Sequence, residues 1–212
     1  ESVFVVSQQR HERKLRTGCH KGNRFTITLR NVTEPLDILC RINAVRAGVP
    51  NYFGEQRFGH HCGNLHQAQS LIERDQLKGN RRGTGMYLSA ARSWLYNLVL
   101  AERLQQNCWS QPFAGEREPS GPLWGRGRST SSGELDSLEQ AILADWQPWC
   151  YALEHAGLKQ ERRALVLHPR AMHWQREAVD QLALSFELAG GSYATVVLRE
   201  IAELFRPGIE PL

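Results

Sequence analysis

The stretch Gly48-Val-Pro-Asn-Tyr-Phe-Gly-Glu-Gln-Arg-Phe-Gly59 is the most unusual in the chain, and regular patterns lie on both sides of it. Its glycines and aromatic residues follow neither the 3.6-residue period of a helix nor the alternation of a strand. We therefore predict an ordered loop with a tightly specified backbone. Arg57, which stands between aromatic residues, either binds a phosphate or pairs with Glu55. A purely structural loop is the alternative interpretation.

The residues before this stretch predict a strand and then a helix. Apolar and polar side chains alternate over residues 25–29, which is the two-residue period of a half-buried strand. Pro35 suits the first turn of a helix, because the N–H that proline lacks has no partner there. We expect this helix to run to about residue 47, where Gly48 ends it.

The C-terminal part repeats the order of a strand followed by a helix. Apolar side chains alternate without a break over residues 182–188, which makes this the clearest strand pattern in the chain. Gly190 and Gly191 predict a turn, after which Ser192 caps a helix. Strands and helices follow one another without a βαβ rhythm, so the sequence predicts an α+β fold.

The remaining elements are predicted from shorter signals. Residues 111–133 are rich in proline, glycine and serine, and we expect them to be irregular. We predict strands at Val3–Val6 and Arg163–His168, and helices from about Asn64 to Arg74, from Ser89 onward, and from Ser131 to a terminating Gly157.

Composition sets bounds on the class of protein. With 212 residues, of which 41% are hydrophobic, the chain can bury a core, and no apolar run is long enough to cross a membrane. No signal peptide is visible. The five cysteines are odd in number and show no CxxC pair, which favours reduced thiols and a cytoplasmic protein.

The basic residues are clustered although the net charge is only +4. The densest cluster lies between Arg10 and Arg24, and smaller ones lie at Arg81-Arg82 and Arg126–Arg128. A polyanion such as nucleic acid explains such grouping, because each phosphate that is neutralised releases counterions. Solvated surface charge is the alternative explanation.

A metal site is not predicted. His60, His61, Cys62 and His66 lie close together, but their spacing matches no zinc motif, and we interpret them as loop histidines and a loop cysteine. No Walker A, dinucleotide-binding or GxSxG motif occurs, so no cofactor is predicted either.

Two further segments carry residue types that suit base recognition. Lys21-Gly22-Asn23-Arg24-Phe25 places an amide and an aromatic ring at the start of a predicted strand, where Asn can bind a base edge and Phe can stack. Gly190-Gly191-Ser192-Tyr193-Ala194-Thr195 delivers an aromatic residue to the N-terminus of a helix. The alternatives are a turn followed by a core phenylalanine, and an ordinary strand–turn–helix corner.

Together these segments resemble the TruD family of tRNA pseudouridine synthases. KGNRF, GVPNYFGEQRFG and GGSYATVVLRE are similar to that family's motifs and stand in the family's order, and YLSAARSWLYN and GPLWGRGRS also fit its pattern. The resemblance implies an enzyme that isomerises uridine 13 of tRNA to pseudouridine. It implies an α+β pseudouridine synthase core with a mixed or antiparallel sheet, formed by residues 1–47 and 168–212, and an inserted α+β domain at residues 48–167.

The resemblance also assigns roles to individual residues. Asn23 and Tyr193 fall on substrate-binding positions, and Phe25 falls on the ring that stacks against the target base. Most family members have Phe where this chain has Tyr193, so the extra hydroxyl needs a partner. We expect Lys14, Arg16, Lys21 and Arg57 to bind RNA. The implied partner is tRNA, without a cofactor, a metal, a membrane or an obligate protein partner.

The chain departs from the family pattern in its carboxylates. The family's catalytic aspartate lies in a Gly-x-Lys-Asp motif upstream of the KGNxF segment, whereas all five aspartates of this chain follow Phe25. We therefore assign no catalytic residue in this chain and expect the aspartate upstream of it. A catalytically inactive tRNA-binding protein that kept the pocket is the alternative function, and an RNA chaperone is a third.

The chain also departs from the pattern in length. It begins at Glu1 rather than at Met, so we expect residues upstream of it. Residues 111–118 are shorter than the strand-rich stretch that the family has before GPLWG. Either the inserted domain is reduced, or residues of a longer chain are missing between Trp109 and Pro119. In the second case we expect the break between Gln111 and Pro112, where two consecutive Cα atoms would lie much more than about 3.8 Å apart.

Overall fold

A computed structural model describes residues 4–10, 12, 14, 20–33, 35–77 and 83–205, and it has an α+β fold. The largest sheet of this part has three antiparallel strands in the order β1 (Gly22–Leu29), β7 (Gln181–Ala189) and β6 (Arg170–Ala178). The strands predicted from alternation at residues 25–29 and 182–188 are therefore both present, and they pair with each other.

The register of β1 and β7 places their apolar side chains on one face. Phe25 lies opposite Phe186, and Ile27 lies opposite Leu184. Helices α1 (Pro35–Ala47) and α6 (Ala194–Ile201) pack on this face and complete a hydrophobic core. Several side chains of this core are completely buried, and they include Ile42, Leu184, Phe186, Val197 and Ile201.

Residues 49–167 form a second region built mainly of helices. Its helices are α2 (Gly63–Glu73), α3 (Thr84–Gln105), α4 (Gly133–Ile142) and α5 (Gln147–His155). Two short antiparallel pairs accompany them, which are β2 (Val49–Pro50) with β5 (Val166–Leu167), and β3 (Ser120–Leu123) with β4 (Glu161–Ala164). Two further hydrophobic clusters lie in this region.

Several predicted boundaries are wrong for local physical reasons. Helix α3 begins at Thr84 rather than at Ser89, so Ser89 lies inside the helix and is not its cap. The helix predicted from Ser131 to Gly157 is interrupted after Ile142 and begins again with Pro148 in its first turn, where proline is well accommodated. Residues 4–10 have no regular secondary structure, so the described part of the strand predicted at Val3–Val6 is not formed.

Strand β6 was not predicted, and the strand predicted at Arg163–His168 is divided between β4 and β5. β6 lies at one edge of the three-stranded sheet, most of its side chains are exposed, and irregularities interrupt its register with β7. An exposed edge strand does not need apolar alternation, so the sequence carried no signal of the kind that revealed β1 and β7.

A buried network of charges fixes residues 108–120. Arg103, which is 0% exposed, lies 3.2 Å from the carboxylate of Glu116 and also donates to the carbonyls of Cys108 and Gln111. Arg162 pairs with Glu139 at 2.6 Å and approaches Glu116 at 3.5 Å. The short passage is therefore folded around a buried guanidinium.

Candidate substrate site

Two of the segments singled out in the sequence lie side by side at one end of the sheet. Gly22 pairs with Ala189 and Asn23 pairs with Leu188, so the start of β1 adjoins the turn that follows β7. The Asn23 side chain is exposed and lies on the same face of β1 as Phe25. An amide at this position is free to bind a ligand from solvent.

The Phe25 ring is half-buried. Its centroid lies 5.7 Å from the centroid of Phe186, with an angle of 31° between the two ring planes. Phe186 is completely buried, whereas Phe25 packs against the edge of the core. The ring is therefore supported by the core and still has exposed surface for a second contact.

Tyr193 lies immediately before α6 and packs against the segment Gly48–Gly59. Its ring is in edge contact with Phe53, with centroids 6.2 Å apart. Gly54 permits this approach, because a Cβ atom at that position would lie 3.1 Å from the tyrosine ring. The third of the sequence segments thus joins the first two at the same end of the sheet.

Helix α3 holds the backbone of this loop in place. The Asn97 side chain accepts a hydrogen bond from the Phe53 N–H at 2.9 Å and donates one to the Phe53 carbonyl at 3.0 Å. The Asn97 amide thereby pairs both the N–H and the carbonyl of the buried Phe53. A loop segment has no neighbouring strand to pair with these groups, so a side chain must do so. This contact explains structurally why the YLSAARSWLYN motif accompanies GVPNYFGEQRFG.

Arg57 supplies the partner for the tyrosine hydroxyl. Its Nε donates to the Tyr193 Oη at 2.9 Å, and its Nη1 donates to the Ser89 Oγ at 2.7 Å. The guanidinium lies 5.3 Å from the centroid of the Phe53 ring. The pairing of Arg57 with Glu55 is not formed, because Glu55 pairs with Arg199 instead.

A second arginine at this corner, Arg163, was not recognised from the sequence. It extends from β4, donates to the Asn51 Oδ1 at 2.6 Å and donates to the Gly191 carbonyl at 3.1 Å. Its guanidinium lies 4.2 Å from the centroid of the Phe53 ring. Position 163 follows another arginine in a short strand, so nothing in the local pattern separates it from a surface residue.

Positive charge is not neutralised locally at this corner. Neither Arg57 nor Arg163 pairs with a carboxylate among the described residues, in contrast to Arg103 and Arg162. The pKa of the Arg163 guanidinium is lowered: burial lowers it, Tyr96 and Tyr193 oppose this, and the nearby charge of Arg57 lowers it further. An arginine nonetheless stays protonated at neutral pH, so the corner carries two positive charges.

The other predicted RNA-binding residues lie nearby in sequence. Lys14 and Lys21 are exposed, whereas Arg16 lies outside the described residues. In the described part of the chain, no three His, Cys, Asp or Glu side chains gather closely enough to bind a metal ion. Nor does any helix there have the length and apolar character needed to cross a membrane.

Comparison with known proteins supports the resemblance. The family model described as tRNA pseudouridine synthase D (TruD) matches residues 1–81 and 114–201. A crystal structure assigned to tRNA pseudouridine synthase D (TruD) of Methanosarcina mazei has the same fold, with a TM-score of 0.61 and 18% identity, over 87% of this chain and 69% of the other.

Curated relatives are more similar in sequence. The tRNA pseudouridine synthase D of Pseudoalteromonas translucida is 44% identical over 232 residues, and that of Cellvibrio japonicus is 44% identical over 209 residues. Both alignments cover 96% of this chain, which spans 64% and 62% of the length of the two relatives. The family model does not match residues 82–113, so it does not test whether residues are missing near Gln111. That break stays a prediction. The family match and the relatives together show that the chain belongs to the TruD family of tRNA pseudouridine synthases.

Proposed function

We propose that the protein containing this chain isomerises uridine in tRNA to pseudouridine, and that its target is uridine 13. The observation that carries the proposal is the convergence of three distant segments at one end of the sheet, with an exposed amide at Asn23, a supported ring at Phe25 and a second ring at Tyr193. Relatives that bear the name tRNA pseudouridine synthase D support the reaction class.

The proposed reaction explains why these residue types are needed. The target nucleotide must leave its stack to reach a pocket. The C1′–N1 bond then breaks, a C1′–C5 bond forms, the C5 hydrogen leaves as a proton, and N1 gains a proton. In this scheme Phe25 stacks on the uracil while it turns, Asn23 binds its polar edge, and Tyr193 limits its escape.

A carboxylate nucleophile completes the proposed mechanism. It attacks either the sugar at C1′ or the base, and it must stand close to the uracil held by Phe25. We expect it in a Gly-x-Lys-Asp segment upstream of this chain. The alternative is a catalytically inactive tRNA-binding protein that kept the pocket and lost the nucleophile. The sequence of the full-length gene product discriminates between the two functions.

The basic residues are proposed to bind phosphates. Lys14 and Lys21 are exposed and precede β1, and Arg16 lies between them in sequence. Arg57 uses Nε and Nη1 for Tyr193 and Ser89, and no described residue accepts a hydrogen bond from its Nη2. That nitrogen is the group through which Arg57 would contact a phosphate.

The domain division is also a proposal. Its supporting observation is the β2–β5 pair, in which Val49 lies opposite Leu167, so the proposed inserted domain begins and ends at adjacent positions. Insertions of this kind are tolerated when the two ends lie close together. A cytoplasmic location is proposed because tRNA is the substrate.

A tritium-release assay tests the proposed function. The full-length protein is incubated with tRNA that carries tritium at C5 of uridine, and we expect release of one tritium per tRNA. The matched control is the same tRNA with cytidine at position 13, which should release none. Equal release from both substrates would refute position 13, and no release from either would refute the reaction.

A further inference from the structure

We propose that Arg163 is a positioning residue. It connects the region of residues 49–167 to the Gly190-Gly191 turn, which lies between β7 and Tyr193. This role deepens the proposed function and depends on it for its consequence in catalysis. The guanidinium donates from Nη1 to the Gly191 carbonyl and from Nη2 to the Asn51 Oδ1, so one side chain joins two parts of the chain that are distant in sequence.

The turn that Arg163 contacts is placed between the proposed substrate contacts. Ala189 pairs with Gly22, next to Asn23, and Tyr193 follows two residues after Gly191. Gly191 has a φ of 83°, which is a left-handed conformation. Glycine adopts this conformation readily but also adopts many others, because it has no Cβ atom to restrict it. The turn closes with its own hydrogen bond from the Ser192 N–H to the Ala189 carbonyl at 3.2 Å, and the Arg163 hydrogen bond adds an external contact that fixes the turn against the region of residues 49–167.

The Arg163 side chain is itself held rigidly. Its guanidinium lies against the rings of Phe53, at 4.2 Å from the centroid, and Tyr96, at 5.6 Å. The acceptor Asn51 is buried, and its Nδ2 donates to the Ala164 carbonyl at 2.8 Å. A planar donor fixed at both ends transmits its position to the turn, whereas a flexible surface arginine would not.

The geometry argues against a merely electrostatic role. Arg163 binds a carbonyl and an amide oxygen and no carboxylate among the described residues, and its Nε is buried without a hydrogen-bond partner. The contacts suit a rigid connector rather than a stabilising ion pair.

Arg92 is a natural control. It is also an arginine of the same region with a buried Nε that lacks a partner, and its Nη2 donates to the Leu123 and Lys159 carbonyls. Unlike Arg163, it also pairs with a carboxylate, that of Glu161, at 3.3 Å. It does not contact the Gly191 turn. A change at Arg92 therefore reports the loss of a largely buried arginine, together with its ion pair to Glu161, without the proposed positioning effect.

The test compares Arg163→Gln, Arg163→Lys and Arg92→Gln in the full-length protein. Hydrogen–deuterium exchange of a peptide covering residues 188–197 should accelerate by about tenfold in Arg163→Gln and less in Arg163→Lys, and it should not change in Arg92→Gln. Single-turnover tritium release should fall by about tenfold to a hundredfold in Arg163→Gln, with the tRNA dissociation constant changed by less than about twofold.

Three outcomes overturn the proposal. The first is wild-type exchange at residues 188–197 in Arg163→Gln. The second is an equal loss of turnover in Arg92→Gln, which would indicate general destabilisation. The third is a weakened tRNA affinity with a reduced salt dependence, which would indicate a phosphate contact.

If Arg163→Gln fails to fold, Arg163→Lys decides by the same measurements. If the wild-type protein releases no tritium, the proposed function fails, while the exchange experiment still decides whether Arg163 positions the turn.

Discussion

Phe25→Ala separates the proposed stacking role of this ring from its packing role. The ring is half-buried and contacts Phe186. Truncating a fully buried phenylalanine costs about 3–5 kcal/mol of unfolding free energy, so a half-buried one should cost about 2 kcal/mol. Stacking of a base on an aromatic ring contributes about 1–3 kcal/mol, which corresponds to a loss of about 5-fold to 150-fold in the rate of the chemical step.

Ile27→Ala is the matched control for this experiment. Ile27 lies two residues further along β1, on the same face and also half-buried, opposite Leu184. Its truncation should cost about 1–2 kcal/mol of unfolding free energy, which is about half the cost at a fully buried site. Turnover per folded molecule should not change, because Ile27 lies further from the start of β1.

The assay measures single-turnover tritium release, tRNA affinity and thermal unfolding of the full-length variants. Affinity should change little in Phe25→Ala, because phosphate contacts supply most of it. A Phe25→Ala protein that is less stable but retains wild-type turnover per folded molecule would show that the ring belongs to the core alone. Equal losses of turnover in Phe25→Ala and Ile27→Ala would refute the reasoning in the same way.

Three further predictions concern charge, acid stability and the chain itself. Replacing Lys14, Arg16 and Lys21 together by Gln should weaken tRNA binding and flatten the slope of log affinity against log salt, and an unchanged slope would contradict the phosphate contacts. The pKa of the Glu116 carboxyl lies below its usual value of 4.5: burial raises it, but backbone N–H groups and the Arg103 guanidinium lower it by more. Its stabilisation is therefore complete above that value and lost as the pH falls through the lower folded pKa, so Glu116→Gln should be less sensitive to acid than the wild type in unfolding experiments below pH 4.5. Residues 1–212 expressed alone should fold poorly and release no tritium from tRNA, whereas turnover above background would refute the expected upstream nucleophile.

Local patterns were sufficient to predict the elements that are buried on one face. β1 and β7 alternate because one face packs on α1 and α6, and α1 begins at Pro35 and ends before Gly48 as expected. The same reasoning could not find β6, because exposed side chains at a sheet edge are not selected for alternation. It also misplaced the start of the last helix, since α6 begins at Ala194 with Tyr193 at the N-cap position, so Ser192 is not its cap.

The candidate site was predictable only in part, because its contacts cross the whole chain. The segments that contain Asn23, Phe25 and Tyr193 could be recognised as unusual, but their proximity depends on the pairing of β1 with β7. The partner of the Tyr193 hydroxyl, Arg57, is separated from it by 136 residues, and Arg163 is separated from Asn51 by 112. Spacing in a single sequence contains no information on such contacts.

The close approach of Gly54 to Tyr193 has an evolutionary consequence. A Cβ at position 54 would meet ring atoms of Tyr193 at 3.1 and 3.2 Å, so the two positions cannot change independently. A side chain at position 54 requires the Tyr193 ring, if it is retained, to move by a few tenths of an ångström. A larger residue at position 54 is tolerated more easily if position 193 has first changed to a smaller residue. The effect of a substitution at position 54 therefore depends on which residue stands at position 193.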